Sequence, residues 1–334
     1  MVPVLDKDKR PLMPCSEKRA KQLMEKGKAK PYWCKGIFCI ILQEEPKSRF
    51  MQDIVIGIDP GSKFNGYTVK SEAHTLKNLH VNAITSVKGK MEERATLRKS
   101  RRQRNTPYRK CRLNRSKSGS RIPPSTKARW QQHLNIVKWM EKLFKITHVV
   151  AEDIKAESKK GAIKWNKNFS PIEVGKNWFY NTIKNIGYKL HTFKGYETYQ
   201  MRVDYNLKKN SKKDKECFYT HCVDSWCLAN EVIGGHVSID NKNVEFLKPL
   251  MYHRRKLHAT KPKVGGIRRD YGGTMSMGIK RGTLVKHKKW GLCIIGGSSN
   301  SRISLHCIKT NKRLSRDARK CDLEILTSMK YLIK

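Results

Sequence analysis

Acidic residues are scarce in this chain. It carries 28 Asp and Glu against 72 Lys and Arg in 334 residues, a formal net charge of +44. Folding does not need that excess, and self-repulsion makes it a cost, so the natural compensation is a polyanion. Long apolar runs are missing too. The longest, Gly36 to Leu42, is far too short to span a bilayer. Neither a basic amphipathic helix nor a lipid signal marks a membrane-surface binder. No secretory signal opens the sequence, which predicts a cytoplasmic protein with no membrane partner. The 10 cysteines include no C-x2-C pair: the spacings are Cys34-x4-Cys39 and Cys217-x4-Cys222-x4-Cys227. That argues against a zinc ribbon and for reduced, mostly buried thiols.

What is present reads as several units. Residues 1–48 form a small domain, with a strand at Val2 to Leu5, a turn at Asp6-Lys7-Asp8, a helix capped by Ser16 and stopped at Gly27, and a strand at Ile37 to Leu42. Strands follow at Ile54 to Asp59, Asn65 to Val69 and about His80 to Val87. A helix is predicted at about Lys127 to Phe144, with a strand at Thr147 to Glu152 and a helix at about Asn177 to Ile186. A strand at Tyr188 to Phe193 and a last helix from about Phe218 to Ile233 complete this region. Three strands followed by alternating helix and strand predict a mixed α/β sheet of the ribonuclease-H-like kind. Its expected parts are 51–87, 127–155 and 156–235. Residues 88–126 are basic and poor in apolar residues, and 236–334 reads as a small β-rich, barrel-like domain.

The candidate chemistry lies at three carboxylates. Asp59 ends a buried-type strand before Pro60-Gly61, Glu152 ends another, and Asp224 lies on the last helix three residues after His221. In a ribonuclease-H-like sheet these three carboxylates converge, with His221 nearby. Clustered carboxylates repel one another, so the set makes sense as ligands for Mg²⁺, with Mn²⁺ able to substitute, and for two ions per site. His221 is the candidate proton acceptor from the attacking water. Each acid alone also has a plainer reading, as a turn starter, a strand-end residue or a solvated helix residue. Between Arg94 and Lys117 the chain holds Arg94, Arg98, Arg101, Arg102, Arg104, Arg109, Arg112 and Arg115 and no acid. The spacing from Glu92 to Gln103 permits a helix with no apolar face to bury, which suits a nucleic-acid partner, and Pro107 ends it. A free basic arm is the other reading of these residues.

Several motifs agree with one family. Leu5-Asp6, Pro11-Leu12-Met13-Pro14-Cys15, Arg19-Ala20 and Gly27-Lys28-Ala29-Lys30 resemble the N-terminal PLMP domain of the transposon-encoded IscB and IsrB proteins. Ile56-Gly57-Ile58-Asp59-Pro60-Gly61-Ser62, Val149-Val150-Ala151-Glu152 and His221-Cys222-Val223-Asp224-Ser225 resemble their three RuvC motifs. Residues 91–117 resemble their arginine-rich bridge helix. His258, Lys261-Pro262 and Gly265-Gly266-Ile267-Arg268-Arg269 resemble the start of their C-terminal domain. Ser225 departs from an expected Ala. Only residues 153–220 separate the second and third motifs, too few for an HNH nuclease, so the resemblance is to IsrB.

That resemblance implies a structured guide RNA (ωRNA), a double-stranded DNA target and nicking of the displaced, non-target strand. It implies a monomeric ribonucleoprotein in a prokaryotic cytoplasm, on the nucleoid when bound, with Arg268 and Arg269 contacting a target-adjacent motif. A Holliday-junction resolvase would use a similar site without the PLMP unit, arginine segment or tail. A TnpB-like protein would show C-x2-C pairs. A guide-RNA-binding protein without cleavage would most naturally have lost a carboxylate.

Overall fold

The computed structural model describes residues 1–46, 48–103, 122–154, 171–211, 216–235, 238–250, 256–258 and 270–334. Arg104, Arg109, Arg112, Arg115, Arg268 and Arg269 lie outside the described residues.

The N-terminal unit contains β1 (Val2–Leu5), β2 (Pro11–Cys15), α1 (Glu17–Glu25), β3 (Ala29–Cys34) and β4 (Ile37–Leu42), in the sheet order β2-β1-β4-β3. The Ser16 hydroxyl accepts the Arg19 amide at 3.3 Å, and Gly27 at φ +68° stops the helix. The sequence reading missed β3. Its Lys-Pro-Tyr-Trp run has neither clean alternation nor strong apolarity. Lys35 and Gly36, both at positive φ, close a two-residue hairpin that pairs it with β4.

Next come β5 (Ile54–Asp59), β6 (Phe64–Ser71), β7 (Thr75–Asn82), α2 (Ser86–Arg102), α3 (Pro124–Met140), β8 (His148–Asp153) and α4 (Pro171–Ile186). They are followed by β9 (Lys189–Lys194), α5 (Gly195–Asp204), α6 (Phe218–His221), α7 (Val223–Ile233) and β10 (Val244–Pro249). The remaining strands are β11 (Lys256–His258), β12 (Asp270–Gly272), β13 (Met275–Ser276), β14 (Ile279–Lys280), β15 (Thr283–His287) and β16 (Gly291–Ser299). After them come β17 (Arg302–Cys307), β18 (Arg313–Ala318), β19 (Leu323–Ser328) and β20 (Tyr331–Ile333).

Seven strands make the large sheet, in the order β20-β10-β7-β6-β5-β8-β9. β5, β6 and β7 form an antiparallel meander, while β8 and β9 run parallel to β5. Counted within that region, the strands stand 3-2-1-4-5. This is the ribonuclease-H-like arrangement, a mixed α/β fold. Strand alternation divides the packing. Ile54, Ile56 and Ile58 face α3 and α4, where Trp130, Val137 and Phe179 are buried. Val55 and Val150 point the other way, to Trp226 and Cys227 of α7 and Met201 of α5.

Three expected elements differ. The third strand is Thr75–Asn82, not 80–87. The chain leaves the ladder there because Gln132 on α3 takes the Ile84 amide (2.9 Å) and donates to the Asn82 carbonyl (2.8 Å). The last helix is two helices, broken at Cys222 (φ −116°, ψ −5°). A whole helix, α5, stands where the sequence suggested only a connecting segment. Its Gly-Tyr-Glu-Thr-Tyr start has low helix propensity.

The tail folds mainly as a five-stranded sheet ordered β18-β17-β16-β15-β19. Its flanks, β10 and β20, pair with each other inside the large sheet, with Leu247 opposite Ile333. Among the described residues no helix is long and apolar enough to cross a membrane. The cysteines there are unbridged, and Cys34, Cys39, Cys222, Cys227 and Cys293 are buried.

One buried group makes the fold sensitive to acid. His133 on α3 is buried, and its Nδ1 lies 2.7 Å from the Tyr67 hydroxyl. Burial lowers its pKa to about 3, whereas the unfolded chain titrates near the ordinary value of 6.5. Between those values the unfolded state binds the proton that the folded state refuses. Stability is therefore full above about pH 6.5 and falls as pH drops toward 3. The expected result is a urea midpoint that declines across this window, and less steeply in His133→Gln. Equal slopes in both proteins would remove His133 as the cause.

Candidate active site

The site is built from the face of the sheet that carries α7. Gly57 permits it: a Cβ there would lie 2.0 Å from the Ser225 carbonyl oxygen. Gly66, one strand over, would likewise meet the His221 carbonyl oxygen at 2.0 Å. Backbone therefore rests on backbone, and the first turn of α7 comes down over the end of β5. Ser225, buried at this seam, has its hydroxyl 3.0 Å from the Thr68 hydroxyl and donates to the Cys222 carbonyl at 3.0 Å. Its departure from Ala thus has a local use, cross-linking the helix to β6.

Asp59 lies two residues beyond Gly57 and Glu152 two beyond Val150, so both point to the α7 face. Asp224 reaches them from the first turn of α7, where it is buried. The Asp59 and Glu152 carboxyls lie close enough to act on each other directly. Burial, then the neighbouring Asp224 and Glu152 charges, push the Asp59 carboxyl well above its usual range, against the pull of Lys209. Burial raises Glu152 too, while the neighbouring Asp59 opposes the rise. Three acids this close and this desolvated do not all ionise without added cations.

Two cations already face them. The Lys209 ammonium pairs with Asp224 and stands 3.8 Å from Asp59, and Arg202 Nε stands 3.1 Å from Asp224 Oδ1. Burial alone would lower the Lys209 pKa, but the Asp59 and Asp224 charges outweigh it and hold it above the ordinary value. Sequence reading missed both residues. Lys209 is one lysine in a lysine-rich stretch, and Arg202 sits on the unforeseen α5. The only available signal was that basic residues between the second and third acidic motifs must pass close to them.

Among the described residues no three His, Cys, Asp or Glu side chains already stand as a metal-binding group. The donor set nonetheless fits a hard divalent cation. It offers carboxylate oxygens only, burial and the neighbouring carboxylates oppose ionisation of Asp59, and Asp224 Oδ1 is buried without a well-aligned hydrogen bond.

His221 is placed differently from the expectation. The break at Cys222 removes it from the Asp224 helix. It closes α6 instead, over Gly66, with its ring stacked on His80 (3.9 Å between centroids) and edge-on to Phe64 (5.5 Å). His80, unmarked in the sequence, is buried with neither ring nitrogen hydrogen-bonded. Its pKa falls to about 4, by burial and then by the neighbouring His221.

Residues 2–164 match the RRXRR protein family. That segment covers the N-terminal unit and the strands carrying Asp59 and Glu152, and stops before Asp224. No curated protein matches the chain. Similar solved structures include T. thermophilus RuvC in complex with a Holliday junction substrate, 15% identical. The likeness covers 55% of this chain and 97% of that one, at a TM-score of 0.27. Another is the yeast mitochondrial Holliday junction resolvase Ydc2, 14% identical, covering 56% and 80% at a TM-score of 0.29.

Arg94 and Arg98 lie on exposed turns of α2, where the Arg98 Nε–H donates to the Arg94 carbonyl (3.2 Å). Arg101 and Arg102 close the helix, which begins six residues earlier than the sequence window suggested. Replacing Arg98, Arg101, Arg102 and Arg104 with Ala should weaken nucleic-acid binding and flatten its log–log salt dependence by up to about three units. Filter binding at several salt concentrations reads this. An unchanged slope would leave the segment without phosphate contacts.

Proposed function

We propose that the chain is a guide-RNA-directed DNA endonuclease, of the IsrB kind, that nicks the displaced strand of a guide-matched duplex at a single RuvC-type site. The observation that carries this reading is the convergence of Asp59 and Glu152, at the ends of the adjacent strands β5 and β8, with Asp224 on the first turn of α7. The net charge of +44 supports a large polyanionic partner. A protein this small cannot read a long DNA sequence with its own side chains, whereas base pairing by a bound guide can.

Asp59, Glu152 and Asp224 would hold magnesium, which when bound supplies charge stabilisation to the attacking and leaving oxygens of a phosphodiester. The chain's own residues do the rest. Burial and mutual repulsion hold the Asp59–Glu152 pair against full ionisation, which a bound cation would relieve. With a metal bound to the carboxylates, Arg202 and Lys209, which now pair with Asp224, would be available to hold phosphate oxygens. His221, whose carbonyl lies over Gly66 on β6, is the imidazole we assign to accept a proton from the attacking water.

Strand choice follows from access. The strand paired to the guide is held in a duplex, while its partner is left extended and single. The deciding experiment uses a duplex with a different label on each strand, the purified protein with its co-purified RNA, and Mg²⁺. A nick in the non-target strand only, dependent on the RNA, is expected. Equal cutting of both strands would refute the nickase reading. Cutting of four-way junctions without RNA would favour a structure-specific resolvase, and RNA retention without cutting a purely RNA-binding role.

A further inference from the structure

We infer that the outer face of α5 is a stacking platform for the bases of single-stranded DNA. The inference rests on the endonuclease reading and names the surface that would deliver the strand. Tyr196, Tyr199 and Val203 recur at i, i+3 and i+7 on this helix, so they share one face. They are 65%, 59% and 53% exposed, while Thr198 and Met201 on the opposite side are buried. Two exposed tyrosines a helical turn apart have no packing task in the fold.

A cation lies over each ring. Lys194 Nζ lies 5.5 Å from the centre of the Tyr196 ring, and the Arg202 guanidinium carbon 5.4 Å from that of Tyr199. Rings flanked by cations suit bases flanked by phosphates, a combination that grips single strands without reading sequence. The two acids on the helix are already engaged. Glu197 accepts the Lys194 amide and the Tyr196 hydroxyl, and Asp204 accepts Gln200. With Lys208 and Lys209 just beyond, the surface has the charge for a polyanion and not for an apolar protein partner.

The platform also adjoins the carboxylates. Arg202 touches Asp224 as well as Tyr199. At the other end, a Cβ on Gly195 would lie 2.9 Å from Glu152 Oε1. A strand stacked on the two tyrosines therefore has its backbone beside Arg202, within one side chain of Asp224. The second contact gives Arg202 a positioning role between base platform and carboxylate cluster.

The test uses the full chain in chelator, so that cleavage plays no part. A short single-stranded DNA carrying one 5-iodouracil is bound, irradiated and mapped by mass spectrometry. Anisotropy titrations at several salt concentrations compare wild type, Tyr196→Ala/Tyr199→Ala and Tyr196→Phe/Tyr199→Phe. Cross-links to Tyr196 or Tyr199 are expected. The alanine pair should bind between about fivefold and about a hundredfold more weakly, with an unchanged salt slope, and the phenylalanine pair should bind as wild type. Cross-links confined to other surfaces, with unaltered affinity in the alanine pair, would overturn the proposal. So would an alanine pair that loses duplex and single-strand binding alike. A chain that stacks DNA here but never cuts it would uphold the platform and refute the endonuclease; a chain that cuts normally with both tyrosines replaced would do the reverse.

Discussion

Asp59→Asn and Asp224→Asn should both abolish strand cutting, by at least about a hundredfold, yet move stability in opposite directions. Asp59 is an acid whose ionisation burial and two neighbouring carboxylates oppose. Its amide replacement takes one ionisable group out of a desolvated cluster that opposes its ionisation, so the metal-free protein should melt at the same temperature or higher. Asp224 instead balances Arg202 and Lys209 from a buried position. Replacing it leaves two partly buried cations short of a counter-charge, and the metal-free protein should lose about 2–3 kcal/mol. Scanning calorimetry in chelator, beside a cleavage assay with Mg²⁺, separates the two effects. Retained RNA in both variants would show that the chemistry alone has been lost. Full cleavage by either would remove that residue from the site.

Gly57→Ala should be among the most damaging single-methyl changes in the protein. The added carbon would lie 2.0 Å from the Ser225 carbonyl oxygen, a backbone atom that no rotamer change can move. Helix α7 must lift or the strand must shift, at a cost of at least about 3 kcal/mol. Because Asp224 rides on the same turn, cleavage should fall with stability. Gly297→Ala is the matched control, since nothing lies within 4 Å of a Cβ there. Urea unfolding of the two variants is the measurement. Equal midpoints would mean that α7 does not sit on β5 as described.

Five of the large sheet's seven strands were legible because they announce themselves locally, whereas β10 and β20 read as part of the tail. Ile54-Val55-Ile56-Gly57-Ile58 and Val149-Val150-Ala151 are apolar runs of strand length, and each ends in an acid. The meeting of those acids follows from strand order alone. What stayed hidden depends on contacts distant in sequence. The boundary of β7 is set by Gln132, some fifty residues away. The helix break at Cys222 displaces His221 by a change in backbone angles that its neighbours do not encode. Lys209 and Arg202 gain meaning only beside Asp59 and Asp224, and α5 forms despite poor intrinsic propensity because Met201 is buried under β8 and α7. The arginine segment was legible as charge, and α2 adds where its first turns stand.

The seam joining the three units bears on how the molecule comes apart. The Trp139 indole donates to the Cys34 carbonyl (3.2 Å) and stacks on Tyr331 (5.8 Å), while the Lys35 amide donates to the Thr327 hydroxyl (3.1 Å). Met329 and Ile333 fill the space over Gly36. N-terminal unit, large sheet and tail therefore share side chains at one junction. None can open without stripping partners from the other two, so the chain should unfold in a single cooperative transition.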